Sequence, residues 1–164
     1  MKWRDWRGHA VGGLAARLYL GTIFLLACGH KILHPGAFAV DIATYQMLPL
    51  ALVNPLAIVL PWVELAAGLM LVFGFRTRAA ALLVTGMVAM FTVAISYAVA
   101  RGLDMSCGCF ASQGAADDPI SWRTILRDTG WLVLTLYVLV FDRRPFGLDR
   151  LLGRRSAVPI REQT

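Results

Sequence analysis

The sequence predicts an all-α integral membrane protein, a bundle of four transmembrane helices with a short interfacial helix between the first two spans. Hydrophobic residues make up 58% of the 164 and charged residues only 16%, whereas a soluble domain is roughly half apolar and a quarter charged. The mean hydropathy is +0.63. Four apolar runs each reach the length of about 20 residues that a helix needs to cross a bilayer.

The length of the chain fits a single domain, so the whole sequence is assigned to one membrane domain. The first span follows a basic tail and is longer than the apolar core of a signal peptide, so we expect no removable leader. The second opens with Asn54 as an N-cap and Pro55 at the first helical position, where the missing N–H costs nothing. The third and fourth are continuously apolar and contain no proline. The predicted domain is 1–164, with spans at about 10–32, 54–75, 77–100 and 122–141 and a basic tail at 142–164.

The segment between the first two spans is too polar to cross the membrane and too apolar to lie free in water. Four of its residues fall on one face at helical spacing, and they are Phe38, Ile42, Tyr45 and Met47. This pattern favours a short helix lying in the membrane interface, with Tyr45 at the depth of the lipid headgroups.

Membrane topology explains the net charge of +6 better than nucleic-acid binding does. The basic residues cluster at the N-terminus, in the tight connection between the second and third spans, and in the C-terminal tail. An even number of spans puts these segments on one side, which the positive-inside rule makes the cytoplasm. We therefore predict a multi-pass protein of the bacterial inner membrane, surrounded by lipid, with both termini cytoplasmic and the loop at 101–121 facing the periplasm.

That outer loop contains DMSCGCFASQGAADD, in which Cys107 and Cys109 are separated by one glycine. In an oxidising compartment such a pair favours a disulfide. The ring that it closes is very small, so the bond is expected to be strained, oxidising and of little value for stability. This favours redox turnover, and the alternative is a bridge that only pins the loop. No metal site is predicted, because two thiolates are too few ligands and His30 and His34 belong to another span.

The end of the first span, CGHK, offers further groups to the loop. Cys28 could reach the pair as a third sulfur, although a lone cysteine in an apolar helix is more often plain packing. Lys31 could extend to water, or with His30 it could favour a thiolate nearby.

Glu64 is predicted to lie near the middle of the membrane, where a bare carboxylate costs several kcal/mol. It should therefore be protonated, or paired with Arg17 or Lys31. One interpretation is a proton-handling group beside a pocket for a quinone or substrate, with Trp62 stacking on a flat ligand, although an aromatic residue in the middle of a span is usually core. The other is a buried ion pair that fixes helix packing.

The start of the fourth span, WRTILRD, puts two cations near the cysteine loop in depth. Arg123 and Arg127 are four residues apart and share a helix face. They could stabilise a thiolate or bind an anionic headgroup, with Asp128 as an internal salt-bridge partner. The alternative is an ordinary wet helix start.

Four motifs together resemble the MauE branch of the DoxX superfamily over nearly the whole chain, from Arg17 to Asp142. They are GHKILHP, LPWVELAAGL, CGCF and ISWRTILRD. The resemblance implies a four-helix inner-membrane protein that aids maturation of the disulfide-rich small subunit of methylamine dehydrogenase, with a thioredoxin-like periplasmic partner. Other relatives imply a quinone as electron acceptor. Carried over position by position, it points to Cys107, Cys109, Glu64, Lys31, Arg127 and Asp128.

Two functions from different classes follow. The first is a thiol–disulfide redox protein, whose outward cysteine pair exchanges electrons with a thioredoxin-like protein or a disulfide-containing client, with a quinone as a further acceptor. The second is a non-catalytic membrane subunit or anchor of a larger complex, in which the disulfide shapes a docking loop. A small transporter is disfavoured, because four spans without paired broken helices make a poor monomeric transporter.

Overall fold

The computed structural model describes residues 8–103, Met105, Cys107 and 120–142. Cys109, the N-terminal tail and the basic tail after Asp142 lie outside these residues. The described chain forms five helices: α1 (Gly8–Leu33), α2 (Pro35–Thr44), α3 (Leu50–Phe73), α4 (Thr77–Ala100) and α5 (Trp122–Phe141). All but α2 are long and apolar enough to cross a membrane. The prediction of a multi-pass, four-helix membrane bundle with a short helix after the first span is confirmed.

The four long helices close a ring, in which α1 packs on α3, α3 on α4, α4 on α5 and α5 on α1. Helix α2 lies against α3 and α1. We call one end of the bundle the cysteine end, because it carries α2, Cys107 and the start of α5. The opposite end carries the α3–α4 connection with Arg76 and Arg78, and we call it the basic end.

Helix α3 begins earlier than predicted, and the assignment of Asn54 as its N-cap is wrong. Its first residue is Leu50, preceded by Pro49 as the cap, and the Leu52 N–H donates to the Pro49 carbonyl at 2.9 Å. The helix therefore contains Pro55 in its interior. In hydrocarbon every backbone group must be satisfied within the protein, which favours extending the helix through the apolar residues after Pro49.

The far end of α3 is closed by a left-handed glycine. Gly74 has φ 66° and its N–H donates to the Leu71 carbonyl at 3.3 Å, while the Phe75 N–H donates to the Met70 carbonyl at 3.0 Å. This is a Schellman-type stop, and it needs a residue without a Cβ clash. It produces the tight connection to α4.

Helices α1 and α3 approach closely at two glycines. A Cβ on Gly21 would lie 2.7 Å from Val72 Cγ2 and 3.0 Å from the Gly68 carbonyl oxygen. A Cβ on Gly68 would lie 3.2 Å from the Gly21 carbonyl oxygen. Small residues at this crossing let the two backbones pack closely, as is common between helices in membranes.

Helix α2 and the residues after it bury the face that the sequence predicted, with one change. Phe38, Ile42 and Tyr45 are buried, but Met47 is 44% exposed. The Tyr45 ring packs inside the cysteine end with Ile95 and Met105, so it faces the interior of the protein, and its depth at the lipid headgroups stays a prediction.

Candidate functional site

Cys107 is the centre of the candidate site. It is buried at 2% exposure and its sulfur is disulfide-bonded. The Tyr45 hydroxyl donates to the Cys107 carbonyl at 3.0 Å, and Arg127 Nη2 donates to Cys107 Sγ at 3.4 Å. One residue from α2's end and one from α5 thus hold this cysteine at its backbone and at its sulfur.

The Arg127 guanidinium is fixed in place by two further contacts. Its Nε donates to Asp128 Oδ1 at 3.2 Å, and its plane lies over the Trp131 ring at 4.8 Å from the centroid. Helix α5 begins at Trp122, where the Ser121 N–H donates to Thr124 Oγ1 at 3.2 Å. This register buries Asp128 and leaves Arg127 half-buried beside the sulfur. A guanidinium held there favours the charged form of a thiol.

Arg123, one turn before Arg127, is exposed at the start of α5. Of the two cations that the sequence placed on this face, the structure brings Arg127 to the cysteine.

Lys31 and Glu64 form an ion pair in the interior of the bundle. Lys31 Nζ lies 2.8 Å from Glu64 Oε1 and 3.0 Å from Oε2, and each side chain is 3% exposed. The ammonium also lies over the Phe38 and Phe91 rings, at 4.9 Å and 5.2 Å from their centroids. Lys31 therefore bends inward, and its alternative of extending to water is not realised.

Arg17, the other predicted partner of Glu64, lies at the basic end. Its Nη1 is 3.5 Å from Asp142 Oδ2, and both side chains are buried. This pair joins the first half of α1 to the residue that ends α5.

A small cavity of about 40 Å³ lies at the centre of the bundle. All four long helices line it, and its ionisable lining groups are Lys31, Glu64 and Asp128. A volume of this size holds a few water molecules at most, at about 10–15 Å³ for each. Because Arg127 contacts both Asp128 and Cys107, a series of charged groups runs from the middle of the bundle to the cysteine.

A second, larger cavity of about 420 Å³ lies between α2, α3 and α4. Cys107 lines it, and so does Phe91, which also lines the central cavity. Trp62 lines neither of these cavities and is 57% exposed on the outside of α3. Trp62 thus lies outside the central cavity that Glu64 lines, although the two residues are close in sequence.

Cys28 is a buried free cysteine in α1, whose Sγ donates to the Leu25 carbonyl at 3.2 Å. It lines neither cavity. These contacts are those of a packed cysteine.

Sequence reasoning assigned none of four aromatic residues to the site: Phe38, Tyr45, Phe91 and Trp131. Trp131 follows Arg127 by four residues, a spacing at which helical side chains meet. The sequence alone could therefore have predicted the cation–π contact between the two. Tyr45 and Phe91 had no comparable signal, because their partners Cys107 and Lys31 are distant in sequence.

These features define a multi-pass membrane protein with an ionic interior and a cysteine site at one end. The chain matches the family described as "Methylamine utilisation protein MauE" over residues 10–141, and it belongs to that family.

Three relatives carry the name "Methylamine utilization protein MauE". That of Paracoccus denitrificans is 32% identical over 126 residues, which is 76% of this chain and 65% of the relative. That of Methylorubrum extorquens is 32% identical over 115 residues, 70% of this chain and 61% of the relative. That of Methylophilus methylotrophus is 29% identical over 124 residues, which is 75% of this chain and 65% of the relative. The matches thus span less than two thirds of the length of these relatives. No solved structure matches the chain.

Proposed function

We propose that this chain is an accessory membrane protein of methylamine utilisation that performs thiol–disulfide exchange in the maturation of methylamine dehydrogenase. The Cys107–Cys109 pair would exchange electrons with a periplasmic thioredoxin-like partner or a disulfide-containing client. The observation that carries the proposal is the Arg127 guanidinium, which lies 3.4 Å from the sulfur of disulfide-bonded Cys107. The names of the relatives support the pathway.

The two cysteines have different roles in the proposed exchange. Cys107 is buried, so we propose that a partner thiolate attacks the sulfur of Cys109, which forms the mixed disulfide. The bond between the two cysteines breaks, and Cys107 leaves as a thiolate opposite the Arg127 guanidinium. A second partner thiol then resolves the mixed disulfide, so that the partner is oxidised by two electrons and the pair becomes a dithiol. A membrane quinone would take these electrons onward.

The orientation belongs to the same proposal. The cysteine end faces the periplasm of the inner membrane, and the basic end with both termini faces the cytoplasm. A membrane-impermeant maleimide applied to intact spheroplasts after reduction should label Cys109 in a Cys28→Ser background. Labelling only after the membrane is opened would reverse the orientation.

Trapping in cells tests the exchange. Cys107→Ser leaves Cys109 as a lone thiol, which should attack the disulfide of an oxidised periplasmic partner in the reverse of this step and accumulate a mixed disulfide, with the partner's other sulfur leaving as a thiolate. Cys109→Ser should trap none, because Cys107 is buried. Cys28→Ser is the matched control and should behave like the wild type, because the Cys28 thiol is free and is hydrogen-bonded to the Leu25 carbonyl of its own helix. If neither single variant gives an adduct and the double variant keeps full function, the exchange proposal fails.

A non-catalytic subunit or anchor is the second candidate. The hydrogen bond from Tyr45 to the Cys107 carbonyl favours it, because this contact would stiffen the loop as a docking surface. Such a protein should co-purify with other subunits in fixed stoichiometry whether or not Cys107 and Cys109 are present.

A further inference from the structure

The larger cavity is built as a binding site for an apolar ligand. Its volume of about 420 Å³ falls within the range of about 300–1,000 Å³ of small-molecule sites. Aromatic and aliphatic side chains dominate the lining, among them Phe38, Leu60 and Phe91, and Asp41 is the one charged residue among the described residues that line it. Within the same described lining, Cys107 is the group that can undergo redox chemistry through a disulfide.

The rim of this cavity faces the exterior of the bundle. On α4 the rim residues Met90 and Val93 are 44% and 62% exposed. On the α2–α3 connection Met47 and Leu48 are also exposed. In a membrane-spanning bundle such apolar exteriors face lipid. A ligand therefore enters from the bilayer, not from water.

We propose that this cavity binds the ring of a membrane quinone, which reoxidises the Cys107–Cys109 pair. The inference rests on the proposed exchange, which leaves that pair as a dithiol. In the step the two S–H bonds break and one S–S bond forms, while the quinone receives two electrons and two protons and leaves as the quinol. A lipid-soluble two-electron acceptor is the chemical class that suits both the apolar rim and the sulfur in the wall.

The site is distinct from the Glu64 and Trp62 region that the sequence suggested. The Lys31 ammonium lies over the faces of Phe38 and Phe91, and the same two rings line the large cavity. The aromatic pair therefore stands between the ion pair and the bound ring. Flat aromatic side chains also provide surfaces on which a quinone ring can stack.

Stopped-flow experiments on the full chain in detergent, with the probe decylubiquinone, test the site. The pair is first reduced by a reduced thioredoxin, and that rate is recorded. Excess thioredoxin is removed, and quinol formation is followed anaerobically together with the loss of free thiols. The wild type should form one quinol for each pair.

Two variants fill the cavity from α4, Ala89→Phe and Ala94→Phe, since both alanines line it. In each, the quinone step should slow about tenfold more than the thioredoxin step, the factor that ~1.4 kcal/mol of lost binding gives. Ala100→Phe is the matched control on the exposed end of the same helix, and both of its rates should equal those of the wild type.

The outcomes separate the two proposals. Normal thioredoxin exchange without quinol formation in the wild type overturns the quinone site and leaves the exchange standing. Quinone rates that fall no more than thioredoxin rates in both cavity variants also overturn it, as does a photoreactive quinone that labels α3 at Trp62 and not α4 at Met90. Absence of thioredoxin exchange in the wild type is the failure of the proposed function itself.

Discussion

Lys31 and Glu64 meet inside the bundle, with Nζ 2.8 Å from one carboxylate oxygen and 3.0 Å from the other. The pair joins the cysteine end of α1 to the interior of α3. Because both side chains are almost fully buried, removing either partner strands a charge in a low-dielectric interior. That cost is large when one partner is removed and small when both are replaced by apolar groups.

Lys31→Met and Glu64→Leu should each lower the free energy of unfolding by about 3–5 kcal/mol, because each leaves one uncompensated buried charge. The double variant should recover most of that loss. Thermal unfolding in detergent measures both effects. The double variant should also keep thioredoxin exchange, because Phe38 and Phe91 separate the pair from the cavity beside Cys107. A stable double variant without exchange would instead give the pair a chemical role.

Arg127→Gln should make the reduced Cys107 thiol less reactive. A hydrogen bond to a charged group contributes about 1.5–3 kcal/mol, so losing it should slow alkylation at neutral pH by about tenfold or more. The measurement is the rate of reaction with a small maleimide in a Cys28→Ser, Cys109→Ser background. Arg123→Gln removes the same charge from an exposed position one turn away and should leave the rate nearly unchanged. Equal slowing in the two variants would mean a general field effect in place of the contact with the sulfur.

Tyr45→Phe should loosen the cysteine end without unfolding the bundle. The hydroxyl donates to the Cys107 carbonyl at 3.0 Å in a buried setting, and such a bond contributes about 1 kcal/mol net. Hydrogen exchange should therefore rise in the segment around Leu103 and Met105, with little change in α1. Tyr19→Phe alters a tyrosine that is exposed on α1 and should change neither. Unchanged exchange in Tyr45→Phe would contradict a holding role for the hydroxyl.

Gly21→Ala should destabilise the protein, because its new methyl group would meet Val72 Cγ2 at 2.7 Å and the Gly68 carbonyl at 3.0 Å. Overpacking of this kind costs about 1–3 kcal/mol. Gly86→Ala is the matched control, since among the described residues its new methyl group would meet no atom within 4 Å apart from its own helical backbone and chain neighbours, and alanine is the better helix former. The midpoint of thermal unfolding should fall for Gly21→Ala and stay level or rise for Gly86→Ala. A fall of equal size in both would mean that the α1–α3 approach tolerates the methyl group.

Helices α4 (Thr77–Ala100) and α5 (Trp122–Phe141) coincide with the spans predicted at about 77–100 and 122–141, because each mostly apolar stretch is bounded by charged or turn-forming residues. The start of α3 could not be read in the same way. Asn54 and Pro55 have the local chemistry of a helix start, but the four apolar residues from Leu50 to Val53 extend the helix toward Pro49. In an apolar environment the backbone N–H and C=O groups of these residues need hydrogen bonds within the protein, and this outweighs the preference of Asn54 for the N-cap position.

The sequence by itself determined the number of spans, the short helix between the first two, and the location of the cysteine loop at the end opposite the basic connection. Hydropathy is a sum over neighbouring residues, and the end at which a loop lies follows from the number of spans before it. Neither needs tertiary information. Only the tertiary structure decided that Glu64 pairs with Lys31 and not with Arg17, and that Arg127 and not Arg123 reaches Cys107. These contacts join segments that are far apart in the chain. Which of them form depends on which face of each helix lies toward the interior of the packed bundle.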